Sequence, residues 1–144
     1  MPEFPTVNFA GDDEGLFSNS EIQRLMKAEC QRATRYRYAV TAMMIGVDRL
    51  EQLGDLYGVE SKDTILAEVG ALLRRSTRES DFLGRMVGSR FFAIFPHTSR
   101  RDGPALAARL LRDASQLLFD EGSARVNVTI SVGLSFRDAG EVSD

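Results

Sequence analysis

The chain has no tryptophan, one histidine and one cysteine in 144 residues. A lone thiol, Cys30, cannot close an intramolecular disulfide, which suits a reducing cytoplasmic compartment. It lies on a helix face without a histidine partner, so it reads as a packing or surface thiol. The lone histidine, His97, has no cysteine or acidic cluster around it and reads as a loop residue rather than a metal ligand. Long apolar runs are missing too: none approaches the ~20 residues of a membrane span, and the start carries no signal-peptide pattern. Nor is one sign of charge in great excess. The net charge is -3 and the pI is near 5.3, which argues against a nucleic-acid-binding surface. Arginines cluster only locally, at Arg74-Arg75, Arg78 and Arg100-Arg101. Tyr36 and Tyr38, beside Arg35 and Arg37, therefore read as a helix-to-strand join and not as a base-stacking strip. There is no internal repeat and no low-complexity tract.

What is present is an ordinary globular balance, 43% hydrophobic and 27% charged, in a length that suits one domain with a real core. Residues 1–14, with two prolines and little periodicity, read as a tail or linker; the domain is expected over 15–138, with a polar tail at 139–144. Ser18 followed by Glu21 predicts a capping box. Ile22, Leu25, Met26, Ala33 and Tyr36 then fall on one helical face. Tyr38 to Val47 is a nearly continuous apolar run, the pattern of a strand buried on both faces. Arg49 to Tyr57 predicts a short helix closed by Gly58, and Ser61 to Ser76 a longer one with Ile65, Val69, Leu72 and Leu73 on one side. Phe82 to Val87 and Phe91 to Phe95 predict a hairpin around a two-residue loop, Gly88-Ser89. After a polar loop, Pro104 starts a helix expected to reach Leu117-Leu118. Val126 to Phe136 alternates cleanly and predicts one half-buried strand. The order gives an α/β fold (α+β, palm-like), with a central mixed or antiparallel sheet flanked by helices.

Several of these stretches resemble the GGDEF family, the diguanylate cyclase domains of bacterial signalling. Gly15-Leu16-Phe17-Ser18-Asn19 is similar to the family's "T-G-L-x-N-R" opening, with Ser20 in place of the arginine. Val47-Asp48 through Asp55 to Gly58 matches a second block, and Ser131-Val132-Gly133 the "S-x-G" strand. At the hairpin, where the family writes "R-x-G-G-D/E-E-F", this chain reads Arg85-Met86-Val87-Gly88-Ser89-Arg90-Phe91. The family's last helix, "A-D-x-A-L-Y-x-A-K", is not reached before the chain stops, so the expected fold lacks it and its phosphate-binding lysine.

Joining two GTP molecules needs divalent cations clamped by hard oxygen ligands. The resemblance puts these carboxylates at Gly46 and Ser89, and neither residue can replace one. Arg90 adds a cation where the family has glutamate. Val87 and Gly88 complete the altered tip. Guanine recognition is implied at Gly54 and Asp63, of which only Asp63 keeps an acceptor; its plain reading is a charge in the first turn of a helix. Asp48 is expected to cap or orient the turn that follows. No catalytic residue, no metal ligand and no magnesium cofactor are expected.

A second site survives in the resemblance. Arg78-Glu79-Ser80-Asp81 stands where the family carries an "R-x-x-D" inhibitory site (I-site) for the product, cyclic di-GMP, and Arg109 matches a further arginine of that site. A guanidinium donates a bidentate pair to guanine O6 and N7 or to phosphate, and a carboxylate accepts from guanine N1 and N2. The spacing alone is a weak signal; its register to the hairpin strengthens it. The plain reading is a solvated surface ion pair. The expectation is therefore a second-messenger receptor that binds cyclic di-GMP through Arg78, Asp81 and Arg109. The resemblance also implies an attached or partner signalling domain and allows a ligand-dependent homodimer. A nucleotide-independent interaction or dimerisation module is the alternative, with a non-cyclising GTP-binding regulator behind it.

Overall fold

Ser18 starts the first helix. In the computed structural model of the chain, which describes residues 15–121 and 124–139, the Ser18 hydroxyl accepts the Glu21 backbone N–H at 3.3 Å, and Glu21 Oε1 accepts the Ser18 backbone N–H at 3.2 Å. The pair satisfies donors that the first helical turn leaves open. Helix α1 (Asn19–Tyr36) closes on Arg37 in left-handed backbone, and the chain turns into β1 (Val40–Val47). There follow α2 (Leu50–Tyr57), α3 (Val59–Ser76), β2 (Phe82–Met86), β3 (Arg90–Pro96), α4 (Gly103–Ala114), β4 (Leu118–Glu121), β5 (Ala124–Asn127) and β6 (Ile130–Arg137). The predicted tail at 1–14 and most of that at 139–144 lie outside the described residues.

The main sheet runs β2-β3-β1-β6 with every ladder antiparallel, so the architecture is α+β with helices flanking an antiparallel sheet. On one face Met43, Ile45, Phe91 and Phe95 are fully buried with Ile65, Val69 and Leu73 of α3. The other face carries a smaller cluster of Ile22, Ala33, Val40 and Ile94 beneath α1. Helix α1 rides mainly on β2 and β3. Strand β1 therefore alternates buried and half-buried residues instead of being sealed on both faces. At Gly84 a Cβ would lie 2.6 Å from Ile22 Cβ, which is why α1 and β2 can approach so closely.

Three boundaries differ from expectation. Gly58 (φ 103) closes α2, donating to Gly54 O at 2.7 Å, but also opens α3 directly, accepting from Lys62 N at 3.2 Å; α3 starts at Val59, not Ser61. The hairpin ladder ends at Met86 opposite Arg90, which leaves a loop of three residues, Val87-Gly88-Ser89, not two. Gly88 (φ 82) and Ser89 (φ 61) take left-handed backbone there. Finally, α4 stops at Ala114. Leu118 belongs to β4, and the expected strand over 126–136 splits: β5 pairs with β4 in a separate hairpin, and β6 pairs with β1. Val126, Val128 and Ile130 all pack on the same core, so the alternation runs unbroken across a change of partner. Among the described residues no helix follows β6, and no helix is long and apolar enough to cross a membrane.

Candidate functional site

Two clefts contain most of the residues singled out from the sequence. The first lies where β1 ends beside the hairpin tip. Gly46 is paired with Arg90 on one side and Ser131 on the other. Gly46, Gly88, Ser89 and Arg90 meet Leu50 and Glu51 around a cleft of ≈ 230 Å³. A Cβ at Gly46 would meet nothing within 4 Å. Val87 is 73% exposed at the tip. Gly54 faces the Lys62 stem, and Asp63 is exposed on α3; none of these three lines the cleft. Because α3 begins at Val59, Asp63 falls beyond its first turn, where Glu60 stands instead. Among the described residues no group of three or more His, Cys, Asp or Glu could hold a metal ion.

Asp48, just past Gly46, does not cap α2, whose N-cap is Arg49 in left-handed backbone without a side-chain bond. Its carboxylate accepts the Ser131 and Thr129 hydroxyls, each at 2.6 Å, and its N–H reaches Thr129 O at 2.9 Å. Asp48 thus fastens the β5–β6 join to the end of β1. The Ser131 bond, then the Thr129 bond, hold its pKa below the usual carboxylate value.

The second cleft is built on the turn between α3 and β2. Arg78 and Asp81 close that turn reciprocally. The Arg78 N–H donates to Asp81 Oδ2 at 2.7 Å, and the Asp81 N–H donates to Arg78 O at 3.0 Å. The guanidinium repeats the contact, with Nη2 to Oδ1 at 2.9 Å and Nε to Oδ2 at 3.3 Å. The expected surface pair is only half correct: the Arg78 side chain is 57% exposed, but that of Asp81 only 2%. Arg78 Nη2 also donates to Pro96 O at 3.0 Å and to the Thr98 hydroxyl at 3.1 Å. Its Nη1 takes no part in these bonds. Across the cleft, Arg109 on α4 donates to Ser76 O at 3.4 Å. Arg78, Asp81 and Arg109 line one space of ≈ 240 Å³ together with His97, Thr98 and Asp102.

Sequence reasoning overlooked His97 and Thr98 in this cleft, and also a buried carboxylate bonded to Tyr38. Glu29 on α1 is 3% exposed; it accepts from Arg32 at 3.0 Å and from the Tyr38 hydroxyl. Burial, reinforced by Glu29, pushes the Tyr38 phenol up to about 12. The Tyr38 ring stacks on His97, with centroids 3.9 Å apart and planes at 22°. One signal could have revealed Glu29: it sits at helical spacing between Ile22 and Ala33, on the buried stripe.

An antiparallel sheet flanked by helices, with a cleft at the hairpin tip and another at the α3–β2 turn, defines an α+β domain whose family comparison with known proteins identifies. The chain belongs to the GGDEF family: residues 15–143 match the "Diguanylate cyclase, GGDEF domain". Among curated relatives, diguanylate cyclase A of Treponema denticola is 29% identical over 96 residues, 67% of this chain and 26% of that protein. The response regulator PleD of Caulobacter vibrioides is 30% identical over 123 residues, 84% of this chain and 27% of that protein. The chain thus spans about a quarter of the length of these relatives. Among solved structures, the FimX GGDEF domain of Pseudomonas aeruginosa superposes with a TM-score of 0.85 at 25% identity, covering 96% of this chain and 85% of that one. The DgcB GGDEF domain of Caulobacter crescentus, solved in complex with c-di-GMP, gives 0.84 over 98% of this chain and 82% of that one. At 17% identity it is a likeness of fold alone.

Proposed function

We propose that this domain is a catalytically inactive, cytoplasmic GGDEF domain that binds cyclic di-GMP through Arg78, Asp81 and Arg109 and signals to an attached or partner domain. The observation that carries the reading is the convergence of these three side chains on one cleft, with the Asp81 carboxylate buried under the exposed Arg78 guanidinium. A guanine edge can take the place of Arg78 at Asp81. Its N1–H and N2–H would replace Nη2 and Nε, exchanging charge-assisted bonds for bonds to the same carboxylate. The Arg78 backbone N–H keeps Asp81 oriented during that exchange. The released guanidinium then reaches phosphate or guanine O6 and N7, and Arg109 closes on the ligand from α4. Inactivity rests on Gly46 and Ser89, which supply no carboxylate to the cleft at the other end of β3, where Glu51 is paired with Lys62, and on the Arg90 cation there, which repels a metal ion. Asp63, on which a GTP-binding reading depends, lies outside that cleft.

Calorimetric titration with cyclic di-GMP tests the reading on wild type, Arg78→Ala and Asp81→Ala. Micromolar or tighter binding that both substitutions abolish is expected. Folded wild type that releases no heat would overturn it, and binding that survives both changes would place the site elsewhere. Incubation of wild type with GTP and magnesium or manganese is expected to yield no cyclic product; any turnover refutes inactivity.

A further inference from the structure

His97 stands between two clefts. It lines the ≈ 240 Å³ space with Arg78 and Arg109 and also a neighbouring space of ≈ 410 Å³ lined by Tyr38, Phe82 and Pro96. One ring contact is with Tyr38, yet His97 remains exposed overall. In the free domain the residues on either side of it are tied to Arg78, because Pro96 O and the Thr98 hydroxyl both accept from Nη2. The imidazole therefore lies beside the guanidinium in the same cleft before a ligand arrives. The ring behind it is held as firmly: the Tyr38 hydroxyl is anchored on Glu29, which Arg32 holds in turn. His97 also adopts φ 58, a left-handed conformation uncommon for a side-chain-bearing residue, and this backbone carries the ring beyond the end of β3.

We propose that the His97 imidazole, backed by Tyr38, is a stacking platform for a guanine base held in the Arg78–Arg109 cleft. This rests on the cyclic di-GMP reading and adds a contact to it. The cleft is smaller than a typical pocket for a whole drug-sized ligand, so it takes one base and leaves the rest of the dinucleotide outside. Stacking tolerates any base, because every base has a π-face. Selection of guanine then falls to Asp81 and Arg78, and His97 supplies affinity. Tyr38 is a positioning residue, acting through the imidazole it supports.

His97 is the sole histidine, so its ring C–H resonances can be read in a one-dimensional proton NMR spectrum of the wild-type domain. Addition of cyclic di-GMP is expected to move them upfield, as a stacked purine ring does, and Arg78→Ala to abolish the movement along with binding. His97→Asn removes the ring while tolerating left-handed backbone; affinity is expected to fall on the order of tenfold. His97→Phe, which keeps a ring, is expected to bind more tightly than His97→Asn. Thermal melts without ligand confirm that each variant is folded. If wild type binds and Arg78→Ala does not, but the His97 resonances stay in place and His97→Asn binds like wild type, the platform is refuted and the receptor reading stands. If folded wild type does not bind at all, both fall together.

Discussion

The phenol of Tyr38 gives its hydrogen bond to a carboxylate that water scarcely reaches. Its pKa of about 12, against 10.0 for a free tyrosine, means that the fold favours the protonated form. Its contribution to stability is therefore complete below pH 10 and is lost as pH rises towards 12. A tyrosinate absorbance titration should contain one component near 12 that disappears in Tyr38→Phe. That substitution removes a bond to a charged group from a half-buried ring and is expected to lower stability by about 1 kcal/mol. If the late component survives in Tyr38→Phe, it belongs to another group. Asp48 works in the opposite direction. Its pKa is depressed below 3.8, so its contribution is present above that pH and lost as pH falls through the folded value. Asp48→Asn should melt lower than wild type at neutral pH, and the gap should narrow in acid. A gap that is constant down to the acid limit would mean the two hydroxyl bonds are unconnected to the ionised form. Neither pair was legible beforehand, because Glu29 with Tyr38 and Asp48 with Thr129 and Ser131 are each brought together by tertiary packing.

At the scale of elements, α1 lies tightly against β2 at Gly84. Gly84→Ala would put a methyl group 2.6 Å from Ile22 Cβ, and overpacking of this kind costs ~1–3 kcal/mol. Gly133, in β6, would meet nothing within 4 Å, so Gly133→Ala is expected to stay within ~0.5 kcal/mol of wild type. Denaturant melts of the two variants check the contrast; equal losses would mean that strand propensity, not the α1 contact, sets the cost. The turn before β2 has its own cost. Asp81→Ala removes the buried half of a charged clasp and is expected to destabilise by ~1–3 kcal/mol, so its ligand titration must be made well below its melting temperature. The periodic elements were readable from their apolar spacing, as α1 and β1 illustrate. The β4–β5 hairpin was not. Leu117-Leu118 continues the apolar face of α4, and Val126 to Ile130 alternates as one strand, so only the pairing partners separate them.

For the molecule as a whole, the two clefts carry opposite chemistry on one sheet. The hairpin places Gly46 and Arg90 side by side in the ladder, whereas the α3–β2 turn places a buried carboxylate under an exposed guanidinium. Gly46, Gly88, Ser89 and Arg90 at the first cleft and Arg78, Asp81 and Arg109 at the second could be read from the resemblance residue by residue, whereas His97 and Thr98 could not; the same reading grouped Gly54, Val87 and Asp63 with the first. These three do not line the ≈ 230 Å³ cleft between β1, the hairpin and α2. The space above Gly46 makes a constructive test available. Gly46→Asp with Ser89→Asp and Arg90→Glu should be accommodated and should bind manganese more tightly than the wild type, measured by manganese titration of both. Absence of binding in the folded triple variant would show that more than the missing carboxylates separates this cleft from a metal site.

Phe17 forms a single parallel bridge to Gly84, donating its N–H to Leu83 O at 2.9 Å and accepting the Arg85 N–H at 2.8 Å. These two bonds occupy the outer edge of β2 and hide part of it from edge-to-edge pairing with another chain. They also make a mechanical linkage. A pull arriving along the backbone at Gly15 is shared between α1 and β2 before it reaches the centre of the sheet, and β2 begins at the residue after Asp81. Tension on the backbone at Gly15 is thus delivered to the strand that follows the Arg78–Asp81 clasp, and opening of that clasp would be felt as a change in stiffness at Gly15.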